Sequence, residues 1–208
     1  MNLRDAIAHC PVVAIVRGVT PDEILHLAEA FYECGVRAIE VPLNSPDPLE
    51  SIRRLSGAWG ERMTVGAGTV LTPHAVDEVA AAGARIVVAP NTEPAVIRRA
   101  VELGLDPAPG FATASEAFTA IQAGARHLKL YPASTYGPGH LKQLKDVLPA
   151  QVTVWAVGGV GADDVAPWRA AGAGAFGVGG AAYRRGQSVP ETLEKGRRLG
   201  AAAQALSA

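Results

Sequence analysis

Hydrophobic residues are laid down along this chain in short, nearly continuous runs separated by longer stretches of helical period. Pro11-Val12-Val13-Ala14-Ile15-Val16-Arg17-Gly18 is an almost continuous apolar run, the pattern of a strand buried on both faces. Thr20-Pro21-Asp22-Glu23 follows, with Thr20 suited to an N-cap, Pro21 to the first helical position and Glu23 to the carboxylate of a capping box. The helix predicted from it runs through Leu25, Ala28 and Phe31 and stops near Gly35, where a left-handed residue is needed. The same phrase then recurs: a helix ends at a glycine, two or three residues pass, and a strand begins. It is read at Gly35 before Ala38–Val41, at Gly83 before Ile86–Ala89, and at Gly104 before Ala108–Gly110. Further copies stand at Gly124 before the segment His127–Pro132 and at Gly172 before Ala175–Val178. Thr64–Val70 and Val152–Val157 add two more strands, giving eight in all with helices between them. The spacing is roughly twenty to twenty-five residues, that of a βα unit.

Eight alternating βα units close most economically into a (β/α)8 barrel, the TIM-barrel architecture. At 208 residues the chain is near the lower limit for that fold, so one domain over residues 1–208 is expected. The competing open, doubly wound sheet would carry a glycine-rich turn after its first strand, and Arg17-Gly18-Val19-Thr20 is not that fingerprint.

Polar residues placed on this frame are few. His127-Leu128-Lys129-Leu130-Tyr131 alternates, so Leu128 and Leu130 share one face and Lys129 points to the other. A buried lysine needs a partner or a purpose, and desolvation frees its amine as a nucleophile. Glu40, between Ile39 and Val41, falls by the same alternation on the same interior. Arg17 follows Val16, and Thr69 sits two positions beyond Ala67, which places both with them at strand C-terminal ends, where such barrels do their chemistry. The other strand ends are Asn91, Phe111, Gly158-Gly159 and Gly179-Gly180. Glycine pairs after strands seven and eight fit a phosphate site, because bare backbone lets N–H groups reach an anion. A structural ion pair and plain tight turns are the alternative readings of the charged pair and of the glycines.

Composition narrows the classes. A net charge of −1 offers nothing to nucleic acid or to an anionic membrane, and no apolar run is long enough to span a bilayer. Cys10 and Cys34 lack metal or redox spacing and read as reduced, structural thiols of a cytoplasmic protein. The five histidines, His127 among them, have no zinc-ligand spacing, so no metal is expected. His127 reads as a hydrogen-bonded core residue.

Five ordered motifs carry a resemblance that covers nearly the whole chain. Ile15–Pro21, Ile39–Pro46, Val65–Leu71, Leu128–Ser134 and Ala156–Val160 together resemble the class I 2-keto-3-deoxy-6-phospho-sugar-acid aldolases. The resemblance implies a homotrimeric barrel that uses no cofactor. It also implies cleavage of a phosphorylated keto-deoxy sugar acid to pyruvate and glyceraldehyde 3-phosphate, with Lys129 as the Schiff-base nucleophile and Glu40 as the proton carrier. Arg17 and Thr69 would hold the substrate carboxylate, and Gly158, Gly159, Gly179 and Gly180 the phosphate. Pro42-Leu43-Asn44 and Val157 are more similar to the 6-phosphogalactonate branch than to the 6-phosphogluconate branch, which has Thr-Leu-Arg and Thr at these places. Asn44 thus stands where that branch has a carboxylate-binding arginine, and Gly180 where family members often have a serine hydroxyl. The gluconate epimer as substrate, a phospho-sugar isomerase or epimerase without a covalent intermediate, and a non-catalytic metabolite-binding barrel remain as alternatives.

Overall fold

A computed structural model of the protein describes residues 1–206. Its strands are β1 (Val12–Ile15), β2 (Ala38–Pro42), β3 (Thr64–Gly68), β4 (Ile86–Val88), β5 (Asp106–Ala108), β6 (Gly110–Phe111), β7 (His127–Leu130), β8 (Thr153–Val157) and β9 (Ala175–Val178). All pair in parallel, in the order β5-β4-β3-β2-β1-β9-β8-β7-β6. The two end strands, β5 and β6, are separated in the chain by Pro109 alone, so the sheet comes round on itself and forms a nearly closed barrel. The fifth predicted strand is therefore two short ones. Pro109 has no N–H to give to a ladder, while its carbonyl accepts from Lys129 N–H at 2.8 Å.

Helices connect the strands, and the five glycines of the repeated phrase all take positive φ: Gly35 (86°), Gly83 (95°), Gly104 (70°), Gly124 (109°) and Gly172 (99°). Each lets a helix stop and the chain turn into a strand through a left-handed backbone that residues with a side chain rarely adopt. The first connecting helix starts later than its cap suggests, at Ile24. Pro21–Glu23 is a turn instead, although the Glu23 carboxylate does accept from the Thr20 N–H (2.9 Å) and hydroxyl (2.7 Å).

Period-2 alternation splits the apolar residues into two cores. Val12, Ala14, Val16, Ile39, Val41, Leu128, Leu130, Val154 and Ala156 pack outward under the helices. Val13, Ile15, Ala38, Ile86, Val88, Ala108, Trp155, Val157 and Ala175 fill the barrel interior. The lower end of that interior is closed by the first helix, Leu3–His9, through Leu3 and Ala6, both buried. Asn2 caps this helix by accepting from the Asp5 N–H at 2.8 Å. Cys10 and Cys34 are free and buried, and burial pushes both thiols up. Among the described residues no helix is long and apolar enough to cross a membrane.

Candidate active site

Lys129 reaches the site because β7 alternates. Leu128 and Leu130 are anchored in the outer core, which turns Lys129 into the barrel beside Trp155 of β8, its Cα partner. The side chain is only 6% exposed, with Nζ 4.6 Å from the ring centroid of Tyr131. Glu40 on β2 faces the same interior and is 2% exposed. The two do not form a contact ion pair: no such pair within 4.0 Å joins them among the described residues, and Glu40 Oε2 is buried without a hydrogen-bond partner. Burial raises the Glu40 carboxyl to about 7 against the opposing pull of Lys129 and Arg17. Burial also lowers the Lys129 ammonium, with Arg17 adding to the effect and Glu40 opposing it. A carboxyl raised toward neutrality and an amine whose charged form burial disfavours thus face one interior.

Above them, at the C-terminal ends of the strands, lies a cavity of about 800 Å³. Lys129, Arg17, Thr69 and Val157 line it, as do both glycine pairs. Glu40 is not on its wall and sits one layer deeper. Asn91 and Phe111 do not contribute: Asn91 lines a separate small cleft, and Phe111 packs in the outer core.

Thr69 reaches the cavity for a different reason from the one alternation supplies. Ala67 faces the outer core, so a residue two positions on in an unbroken strand would face away from the site. The strand ends at Gly68, and Thr69 adopts a left-handed φ of 59°, which turns it into the cavity. Arg17 is oriented by Asn44, whose side-chain oxygen accepts from Arg17 Nη1, while Ser45 Oγ accepts from the Gly18 N–H at 2.9 Å. Asn44 thus holds the guanidinium of Arg17, which lines the cavity.

The two glycine pairs differ. Gly158 and Gly159 have φ of 96° and 74°, so the backbone conformation itself calls for glycine. Neither Gly179 nor Gly180 has a positive φ, and a Cβ on Gly179 would meet nothing within 4 Å. On Gly180 it would meet only Arg184 Nε, at 3.9 Å. Packing does not demand this second pair; it leaves open backbone facing the cavity.

Alternation puts Tyr131 on the face of Lys129, and it does line the cavity; alternation and strand ends did not reveal Arg184, Arg185 or Asp164, which line it too. A signal for the arginines existed, since Tyr183-Arg184-Arg185 follows Gly179-Gly180 by only two residues. Asp164 is held by accepting from the Gly161 N–H at 2.8 Å. Among the described residues no carboxylate pairs with Arg17, Arg184 or Arg185, so three guanidinium groups and Lys129 border one cavity. Such a cavity attracts a ligand carrying more than one negative charge. His127 lies on the same face as Lys129 but lower in the barrel, where Trp155 Nε1 donates to its Nδ1 at 3.2 Å and burial lowers the ring to about 4. Among the described residues no cluster of three or more His, Cys, Asp or Glu is arranged to hold a metal ion.

Comparison with known proteins agrees with this fold. A relative from Escherichia coli (strain K12), 2-dehydro-3-deoxy-6-phosphogalactonate aldolase, is 48% identical over 89% of this chain and 90% of its own length. A probable enzyme of the same name from Rhizobium meliloti (strain 1021) is 42% identical over 89% of this chain and 87% of its own. A solved structure described as native KDPGal superposes with a TM-score of 0.93 at 45% identity, covering 95% of this chain and 96% of the other. The model of the KDPG and KHG aldolase family matches residues 3–190, and the chain belongs to that family.

Proposed function

We propose that this protein is a class I aldolase that cleaves 2-dehydro-3-deoxy-6-phosphogalactonate to pyruvate and D-glyceraldehyde 3-phosphate through an imine on Lys129. The observation that carries the reading is a nearly buried Lys129 at the floor of a cavity edged by arginines, next to a buried carboxyl that it does not neutralise. The amine of Lys129 attacks the C2 ketone to give a carbinolamine, which loses water to become an iminium. Glu40 moves the protons of both steps. Removal of the C4 hydroxyl proton, through a water to Glu40, lets the C3–C4 electron pair flow into the iminium. The aldehyde leaves with the phosphate, and the enamine left on Lys129 takes a proton at C3. Water then hydrolyses the resulting imine, releasing pyruvate and the free lysine.

Arg17 grips the carboxylate, with Thr69 beside it, and the glycine backbone with Arg184 and Arg185 takes the phosphate. Two anchored ends hold the scissile bond over Lys129. The guanidinium groups supply the donors lost with a serine hydroxyl at Gly180. The family resemblance further supports a single-domain chain acting as a homotrimer in the cytoplasm, and light scattering of the purified protein tests the assembly.

Choice of epimer rests on Val157, which is 3% exposed in the cavity wall. A threonine there would offer one C4 hydroxyl a partner, whereas valine offers methyl groups. Burying the hydroxyl against them costs about 1–3 kcal/mol, which favours the epimer that turns it to Glu40 and water by roughly ten- to a hundredfold. The names of the relatives support the galactonate epimer. The test compares kcat/KM for both epimers in the wild type and in Val157→Thr. Galactonate preference that weakens in the variant is the expected result; equal or better use of the gluconate epimer by the wild type overturns the assignment.

A further inference from the structure

Glu40 owes its place to two residues with no side chains. On β3, Gly66 is its Cα partner and Gly68 stands one inward-facing position further toward the cavity. Gly68 has no positive φ, so its backbone would accept any residue. Space is what excludes one. A Cβ on Gly68 would lie 2.5 Å from Glu40 Cδ and 2.7 Å from Oε1, and nearer still to Oε2, where ordinary contact begins near 3.4 Å. At Gly66 the conflict is milder and concerns the stem: a Cβ would stand 3.2 Å from Glu40 Cβ and 3.0 Å from Ile86 Cβ. The Glu40 side chain therefore leans along β3 and lays its carboxyl group in the gap above Gly68. The atom deepest in that gap, Oε2, is buried without a hydrogen-bond partner. Nothing but the missing side chain holds the space open, and Thr69, directly after it, turns into the cavity.

We propose that Gly68 is a positioning residue: the gap it leaves sets how far the Glu40 carboxyl group reaches toward the Lys129 nitrogen and the substrate. The inference rests on the aldolase reading above. It goes beyond that reading in assigning the position of the proton carrier to a residue that touches no substrate.

The test is a cycle of Gly68→Ala, Glu40→Asp and the double variant, read by kcat, KM and pH profile. Gly68→Ala is expected to lower kcat by about a hundredfold, the lower range for a lost general base, with KM changed only a few-fold. Its acid limb should move by about one pH unit, because the carboxyl leaves its dry slot. Aspartate is one methylene shorter and fits beside a methyl at position 68. Glu40→Asp should therefore lower kcat in the wild type yet leave it equal or raise it in Gly68→Ala. A Gly68→Ala enzyme within a few-fold of wild type overturns the inference. So does a loss that Glu40→Asp deepens by the same factor in both backgrounds, which is what a packing defect gives. Pyruvate and borohydride applied to the wild type separate the two levels, since failure to label Lys129 overturns the aldolase reading itself.

Discussion

His127 and Lys129 stand two residues apart on one strand, face the same barrel interior, and have both been taken out of water. Burial shifts each in the same direction, toward its neutral form. Their surroundings then diverge. His127 lies in the lower half, where Trp155 donates to its ring and packs in one cluster with Leu3 and Ala6 of the closing helix. It is half-buried and lines no part of the cavity. One layer higher, Lys129 meets a buried carboxyl on one side and an open cavity on the other. A perturbed titration alone does not mark a working group; access and a partner that can exchange a proton with it do. The two ends of the barrel also divide the labour, since the closed lower end gives the interior its apolar packing and the upper end spends some of it on charge.

The contrast is broken most severely by removing the proton carrier from the upper end. Glu40→Gln keeps the shape and should lower kcat by about two to four orders of magnitude, with KM moving far less. In the wild type, kcat should rise with pH through about 7 as the buried carboxyl loses its proton, and the variant should lose that limb. A variant within a few-fold of wild type would make Glu40 a mere packing partner.

A smaller effect is expected at the cavity rim. Arg184→Ala should raise KM for the phosphorylated substrate by about tenfold, the value of one charge-assisted hydrogen bond, and leave kcat within a few-fold. Substrate lacking the phosphate should not distinguish the two enzymes. An unchanged KM would remove Arg184 from the anion site.

The smallest effect belongs to the lower end. His127→Gln should leave turnover within a few-fold and change only how stability depends on pH. The folded ring titrates near 4 and the unfolded one near 6.5, so the unfolded chain binds the extra proton between those values. The wild type should accordingly lose stability as pH falls from 6.5 toward 4, with a slope approaching about 1.4 kcal/mol per pH unit. The variant should lose less. Glu40, raised in the folded state, acts with the opposite sign between 4.5 and 7, but equally in both chains. Parallel denaturation curves at pH 6.5 and 4.5 for the two proteins would show that His127 is not held neutral.

What could be read in advance follows from periodicity. The helix-stopping glycines, from Gly35 to Gly172, marked five of the eight units, apolar runs supplied the rest, and alternation placed Glu40 and Lys129 on one face. Where the chain leaves a regular period the reading weakens. Pro109 split a strand by withholding one N–H, and the Thr20 cap stood ahead of a turn rather than a helix. Thr69 entered the site through a left-handed backbone and not through alternation. Arg184 and Arg185 sit in an irregular loop, where no period says which way a side chain points. The gap above Gly68 was invisible for another reason, because it is a relation between two strands.

The central claim, that Lys129 works by forming an imine, is tested most directly by trapping it. The protein is incubated with pyruvate, reduced with borohydride and digested for peptide mass mapping. A reduced pyruvyl group on Lys129, absent from Lys129→Ala, is the expected result. An unmodified Lys129 peptide, or a Lys129→Ala variant that still cleaves substrate at the wild-type rate, would contradict it.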